Sequence, residues 1–367
     1  MHIESHLDTI RACRFCFMCR HLSPIGNVTF RESDTPRGRA LMLDKVVADP
    51  SLLDVPDFAS VIYDADLSAA CRYHCISHYD EVGLILAARR CIVESGRSPV
   101  EMSTLAKEVG DAAITTRGNG LSEVVYYVDQ HTALHHPEIS AAMESVLTAA
   151  GLSYRIVSGA DSGKALKVLG YWDEARKLAA KLADALTVPS ARTIVVSCPA
   201  AYDAFVNDYP LFGTSLGEGV KILHSSELIL RLVKEGRLKG NAAPGMKVFP
   251  LASDYLKNYN NGNGTVEAAL AAMGVESAAF GTNKEESYTA GEGAVVLDRL
   301  NPGLVEKLCR YILARIEDPA KDVLLTASPY TKYALLKFGG NGIRITTVEE
   351  MARAWAQGSA WRGSPER

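Results

Sequence analysis

Beyond residue 120 the chain alternates short apolar runs with helical stretches, and it does so twice, which restricts it to a small set of layered folds. Val124-Val-Tyr-Tyr-Val128 is a continuous apolar run, as expected of a strand covered on both faces. A helix over 137–150 follows, then a strand at Tyr154-Arg-Ile-Val157, a helix over 173–186, a strand at Thr193-Ile-Val-Val196 and a helix over 227–234. The order recurs from a strand at Lys247-Val-Phe249 through a helix over 266–273, a strand at Ser277-Ala-Ala-Phe280 and a helix over 304–316. A strand at Val323-Leu-Leu325 and a helix over 348–356 complete it. Two strings make this a repeat: Val196-Ser-Cys198-Pro199 is answered by Thr326-Ala-Ser328-Pro329, and the string from Lys221 to Ile229 by the one from Ile343 to Met351. The expectation is two duplicated α/β repeats with parallel sheets, over 121–240 and 241–367.

The first 117 residues read differently, as a helical segment with a glycine break at Arg117-Gly-Asn-Gly120 closing it. Pro36-Arg-Gly-Arg-Ala-Leu-Met-Leu places proline at a helix start, and Glu81-Val-Gly-Leu-Ile-Leu-Ala-Ala-Arg-Arg is a helix ending by Gly96. This segment carries the chain's strongest chemical signal: Cys13-x-x-Cys16-x-x-Cys19, with Cys75 arriving later. Three thiolates at that spacing wrap one corner of a cubane iron–sulfur cluster, and the fourth comes from a distant segment. In two-cluster ferredoxins the run is C-x2-C-x2-C-x3-C-P, its last cysteine serving the other cluster. Here the proline is kept at Pro24 and the crossing cysteine is Ser23. Around Cys71-Arg-Tyr-His-Cys75 the matching second run has Ala65 and Ser68 at its first two ligand positions. One cluster site is therefore complete and the other has kept only Cys71. The reading is one [4Fe–4S] cluster on Cys13, Cys16, Cys19 and Cys75, a helical ferredoxin-like domain over 1–117; a structural zinc site and unliganded cysteines are the alternatives.

Composition narrows the class. The 367 residues are 47% hydrophobic and carry a net charge of −4 with both signs interspersed, so a nucleic-acid surface is not expected. No run approaches the roughly 20 apolar residues of a membrane span, and the first residues lack the features of a signal peptide. Eight cysteines, clustered, point to metal ligation in a reducing compartment, with the cytoplasm, or its face of the membrane through partners, as the expected location. Cys91, inside an apolar helix, reads as a small core residue.

Over nearly its whole length the chain resembles the iron–sulfur subunit of glycolate oxidase and its relatives, including the cysteine-rich (CCG-domain) subunits of heterodisulfide reductase. The resemblance rests on Asp34-Thr-Pro-Arg-Gly-Arg39, on Leu84-Ile-Leu-Ala-Ala-Arg-Arg90, on Cys198-Pro-Ala-Ala-Tyr202 and on His224-Ser-Ser-Glu-Leu228, in this order. It implies that both C-terminal repeats are CCG-like. Their ligand cysteines are replaced: Asp161-Ser-Gly163 and Thr289-Ala-Gly291 stand at the C-C-G positions, Leu251-Ala-Ser-Asp254 at H-D-P-C, and Ser328-Pro-Tyr-Thr331 at the second C-P-x-C.

The resemblance implies an electron-transfer subunit, without a flavin site of its own, that takes electrons from an FAD-containing oxidoreductase subunit of the 2-hydroxy-acid oxidase type. The acceptor would be a quinone, membrane-associated or not, or another carrier. Arg14, Arg20 and Arg72 would offset the charge of a reduced cluster. The other reading is a non-catalytic assembly or ligand-binding subunit whose cluster is structural. His131, His135 and His136, with Asp161, Cys198 and Asp254, are candidates for a mononuclear metal or polar ligand site, or else a solvated helix end. Tyr126, Tyr127, Tyr202 and Tyr255 are candidate pocket or core residues.

Overall fold

A computed structural model describes residues 1–13, 16–118, 120–241, 247–262, 264–281, 286–319, 321–340, 342 and 344–358. Arg14 of the cysteine segment, Asn119 of the glycine break and Ile343 of the second repeat lie outside them.

The N-terminal part is helical: α1 (Leu7–Ala12), α2 (Met18–Leu22), α3 (Pro24–Thr29), α4 (Pro36–Ala48), α5 (Pro56–Tyr63), α6 (Glu81–Glu94) and α7 (Val100–Gly110). Each residue of the 34–39 stretch has a structural task. Thr35 caps α4 by accepting the Gly38 N–H (3.1 Å), and Pro36 fills the first helical position, where no N–H is needed. A Cβ on Gly38 would meet the Glu32 carbonyl oxygen at 1.9 Å, so only glycine fits. Buried Arg39 donates to the carbonyls of Asp34 (2.9 Å) and Val61 (3.1 Å), tying α4 to α5.

The first sheet contains β1 (Thr115–Gly118), β2 (Val124–Val128), β3 (Tyr154–Ser158), β4 (Thr193–Val196) and β5 (Lys221–His224), in the order β1-β3-β2-β4-β5. Its connections carry α8 (Gln130–His135), α9 (Pro137–Ala149), α10 (Lys164–Leu169), α11 (Trp172–Leu186), α12 (Pro199–Asp203) and α13 (Tyr209–Phe212), and α14 (Ser225–Lys234) follows β5. All pairs are parallel except β1 with β3. The second sheet is β6 (Val248–Leu251), β7 (Val323–Thr326) and β8 (Arg344–Thr347), parallel in chain order, with α15 (Thr265–Ala272), α16 (Leu297–Leu300), α17 (Pro302–Leu313), α18 (Pro329–Phe338) and α19 (Val348–Ala356). The fold class is α/β, as expected from the alternation.

Three details depart from the sequence reading. The glycine break is flanked by an antiparallel edge strand: Thr115–Gly118 pairs with β3, so the first sheet is not wholly parallel and reaches into the 1–117 segment. Exposed Thr and Arg without an apolar rhythm hid this strand. The strand expected at 277–280 is reduced to one parallel bridge between Ser277 and Val248, on the flank of β6 that β3 occupies beside β2. The repeat is also offset by one residue from the strings above. Lys221 answers Arg344, and His224 and Thr347 are the matching N-caps of α14 and α19.

Alternation along the strands sorts the packing. Val124, Tyr126, Val128 and Val195 face a core shared with Val248 and Leu325 of the second sheet and with α9, α14, α15 and α19. Val125, Tyr127, Ile194 and Val196 face α11. The remaining core joins the N-terminal helices to the far face of the second sheet, from Ile3 and Ile10 to Leu324 and Ile345. Tyr126, Tyr127 and Tyr255 are core residues, at most 1% exposed.

Arg89 of α6 is fully buried and makes five hydrogen bonds of 3.0–3.2 Å to the carbonyls of Ile62, Tyr63, Ala65 and Val168. The Tyr63 hydroxyl donates to the Leu169 carbonyl (3.1 Å), and a Cβ on Gly170 (φ 101°) would sit 2.6 Å from the Arg89 carbonyl oxygen. Removing the guanidinium leaves those carbonyls without a donor. Arg89→Met should therefore lower stability by about 3 kcal/mol or more in urea unfolding. Arg90→Met, which loses a half-exposed pair with Glu94 (2.6 Å), should cost about 1 kcal/mol or less.

Candidate metal centre

Helices α1, α2, α4 and α6 gather the cysteines of the N-terminal part. Cys13 caps the C-terminus of α1, its N–H bonded to the Ile10 carbonyl (3.1 Å). Cys16 is exposed ahead of α2, and Cys19 is half-buried within it. Cys75 closes a tight turn opened by Cys71, its N–H on the Cys71 carbonyl at 3.1 Å. Burial pushes the Cys13 thiol up, and the neighbouring Cys75 and Cys16 push the same way against Arg37. Burial takes Cys19 to about 11, opposed by the Arg37 backbone hydrogen bond, with Cys13 adding to the rise. The fold thus sets Cys75 close enough to Cys13 for its charge to act on that thiol. Cys71 stands there too, near Cys19 and Cys75, with burial holding its thiol well above the usual range.

Hydrogen bonding separates the two cysteines of the turn. The Cys71 thiol points at the Cys19 carbonyl (3.9 Å), as a donor, whereas the Cys75 sulfur accepts the Tyr79 N–H (3.4 Å). A backbone N–H aimed at sulfur stabilises the thiolate. Arg37, in the first turn of α4, lies at the positive end of that helix, stacks 4.8 Å over the Phe17 ring and pairs with Glu32 (2.6 Å). Its charge acts on Cys13, and Arg14, one of the arginines expected to do so, lies outside the described residues. Arg20 is exposed, and Arg72 pairs with Asp80 at 2.8 Å. Glu81 escaped the sequence reading because it looks like an ordinary first-turn carboxylate. Burial raises it to about 8, with Arg72 opposing, and it raises Cys13, Cys19 and Cys71 in turn.

Positions where a second cluster would have been ligated have other work. Ser23 caps α3 by accepting the Gly26 N–H (3.2 Å), and the Ala65 carbonyl serves Arg89. Ser68 bonds Asp66 (3.0 Å) in a loop whose Leu67 and Ala69 have left-handed backbones, φ 51° and 56°. That loop is clasped by the second repeat. Asn258 donates to the Ser68 carbonyl (2.7 Å), Tyr259 to that of Leu67, and Tyr73 donates to the Lys257 carbonyl (2.8 Å).

Among the described residues no group of three or more His, Cys, Asp or Glu side chains is gathered as a single metal ion requires. A cubane carries one thiolate on each of four irons and so asks for a wider set. Of the histidine constellation, His131, His135, Asp161 and Cys198 line one cavity. His136 turns to Glu138 (2.7 Å), and Asp254 lies behind the wall, accepting from Thr289 (2.5 Å).

No family model matches the chain. The EtfAB:quinone oxidoreductase of Syntrophomonas wolfei is 24% identical over 196 residues, 53% of this chain and 27% of that protein. A probable iron-sulfur-binding oxidoreductase of Bacillus subtilis, FadF, is 26% identical over 205 residues, 50% of this chain and 28% of that protein. The chain is thus similar, at low identity, to a quinone oxidoreductase and to a probable iron-sulfur-binding oxidoreductase. The matched stretches span little more than a quarter of each relative's length. No helix among the described residues is long and apolar enough to cross a membrane.

His224, the histidine of the 224–228 string, is fully buried as the N-cap of α14. Its Nδ1 accepts the Ser226 N–H (3.2 Å), so the Nε2 proton goes to the Ser197 carbonyl (3.3 Å) and the ring is neutral. Burial lowers it to about 4, below the unfolded value of about 6.5. A depressed histidine gives stability that is present above pH ~6.5 and lost as pH falls towards 4. His224→Asn keeps a capping oxygen but cannot titrate. Its melting temperature should fall less between pH ~6.5 and ~5 than that of the parent, a difference of about 1–2 kcal/mol.

Proposed function

We propose that this chain is the electron-transfer subunit of a multi-subunit oxidoreductase, with one [4Fe–4S] cluster held by Cys13, Cys16, Cys19 and Cys75. It would take electrons from an FAD-containing partner of the 2-hydroxy-acid oxidase type and pass them to a quinone or another carrier. The observation that carries the reading is the meeting of Cys75 with the C-x-x-C-x-x-C segment, its sulfur already accepting a backbone N–H. The relatives support it in kind, one being a quinone oxidoreductase and the other a probable iron–sulfur-binding one. When bound, such a cluster exchanges electrons one at a time.

The chain's own residues provide the rest. The Arg37 and Tyr79 N–H groups stabilise negative sulfur at Cys19 and Cys75. Cys16 lies at the surface beside exposed Phe17 and Met18, with exposed Tyr73 and Ile76 on the Cys75 turn, as a docking partner would need. The two α/β units are read as CCG-type repeats that have exchanged their thiolates for Asp161, Ser162, Thr289 and Ser328. A structural cluster is the second reading, favoured by the clasp between the 67–73 loop and residues 257–259.

Anaerobically prepared protein should carry roughly four irons per chain with broad absorption near ~400 nm. Cys75→Ser should lose the iron and Cys71→Ser should retain it; the reverse would move the ligand assignment to Cys71. A full-length chain with both Cys13→Ser and Cys75→Ser should hold no iron or sulfide, which tests the repeats as well. Electron transfer and stapling separate on reduction. A functional cluster should become EPR-active with dithionite and with a reduced flavoprotein donor. In the staple reading, Cys13→Ser unfolds the chain without any specific redox defect.

A further inference from the structure

The chain leaves β2 for β3 on one side and returns to β4 on the other, so the sheet switches direction between β2 and β4. Ligands of open α/β sheets bind at the carboxyl ends of strands at such a point. A cavity of about 220 Å³ lies there, walled by the ends of β2, β3 and β4 and closed by the residues after β7 and the 292–299 segment.

Its charge is one-sided. Five carboxylates line it, those of Glu108, Asp129, Asp161, Glu292 and Asp298, against the cations Lys164 and Arg299. Lys164 is spent on Asp203 and Asp208, and Arg299 on Glu108 (2.8 Å). The other four carboxylates have no ion-pair partner among the described residues. Lys337, whose charge acts on Asp298 at a distance, gives its ammonium to the Tyr333 hydroxyl (2.6 Å). Backbone bonds occupy part of this set: Asp161 Oδ1 accepts the N–H groups of Gly163 (2.7 Å) and Ala165 (3.2 Å), both on the same oxygen. Burial raises Asp129, takes Asp161 to about 6 against its backbone hydrogen bonds and Lys164, and takes Glu292 to about 7.

A second observation is independent of these acids. Both ring nitrogens of His131 are buried on the cavity wall without a hydrogen-bond partner. The ring is packed against His135 (4.7 Å between centroids), Tyr333 (5.0 Å) and Tyr330 (5.6 Å), and burial keeps it neutral. A neutral imidazole with an unused nitrogen is an acceptor waiting for a donor. The absence of an ion-sized ligand set among the described residues turns this away from a bare metal ion.

We propose that this cavity binds a small organic cation, a protonated primary amine with a compact apolar body. The ammonium gives Asp161 and Asp129 the direct ion pair that neither has among the described residues, and donates to His131. Tyr330 and Tyr333 present aromatic surface to the positive charge, and Ala165, Ala200, Val295 and Val296 cover the apolar body. Nothing in this depends on the cluster.

The test is calorimetry on the full-length protein at pH 7 with benzylamine, benzyl alcohol and benzoate as probes. Benzylamine should bind about tenfold or more tightly than the alcohol, and benzoate should not bind. Because a bound cation favours ionised carboxylates, benzylamine binding should release protons, read from its heat in two buffers of different ionisation enthalpy. Asp161→Asn, which keeps the Oδ1 acceptor, should weaken the amine about tenfold and leave the alcohol unchanged. Should that variant fold poorly by circular dichroism, Asp298→Asn should weaken the amine in the same direction. Equal or tighter binding of the alcohol, or no benzylamine heat at millimolar concentration, would overturn the proposal and leave a neutral ring or a packing void.

Discussion

The guanidinium of Arg89 holds together parts of the molecule that sequence separation would otherwise keep apart. Its bonds go only to peptide carbonyls, at the C-terminal ends of α5 and α10 and in the loop at Ala65. Helix C-termini carry partial negative charge, so two macrodipoles converge on one cation in a region with no carboxylate in contact. Burial lowers the guanidinium only to about 10, and it stays charged. The loop that leads to the Cys71–Cys75 turn starts from this point, at Ala65. The same arginine fastens the helical segment to the first α/β unit through Val168.

Around that anchor lie two sites of different character. The cysteines sit on short helices and a turn, with N–H donors and Arg37 arranged about them. The cavity at the strand ends is ringed by carboxylates and tyrosines. In the first, N–H groups and Arg37 oppose the burial that disfavours negative sulfur; in the second, N–H groups and Lys164 only partly offset the burial that disfavours negative oxygen. One fold thus offers two environments for charge, and the burial of the groups, more than their number, decides what each will accept.

Much of the fold was legible because apolar runs and helix periodicity leave direct marks. The Val124–Val128 run, the proline-led helix at 36 and the two strand-end prolines at 199 and 329 all fall where they were expected. Edge strand β1 was not legible, since Thr115, Thr116, Arg117 and Gly118 face solvent and carry no burial pattern. The strand near Ser277 read as apolar and β-prone but joins the sheet through one bridge only. Motif spacing singled out the four cysteines as candidate ligands without any knowledge of the fold. Tyr79 and Glu81 were invisible because one acts there through a backbone N–H and the other through burial, and the N–H of Arg37 likewise leaves no sequence signature.

The core that joins Ile3 and Ile10 to Leu324 and Ile345 has a consequence for synthesis of the chain. The cysteine segment is made well before Leu324 and Ile345, which complete the apolar core it packs on. Loop closure over so long a separation is slow, and partly made chains expose the unfinished face. Until Leu324 and Ile345 are made, the thiols of Cys13, Cys16 and Cys19 sit on a segment whose core is unfinished, open to metal donors and oxidants alike. Order of assembly, and not final affinity alone, then determines what those sulfurs come to hold.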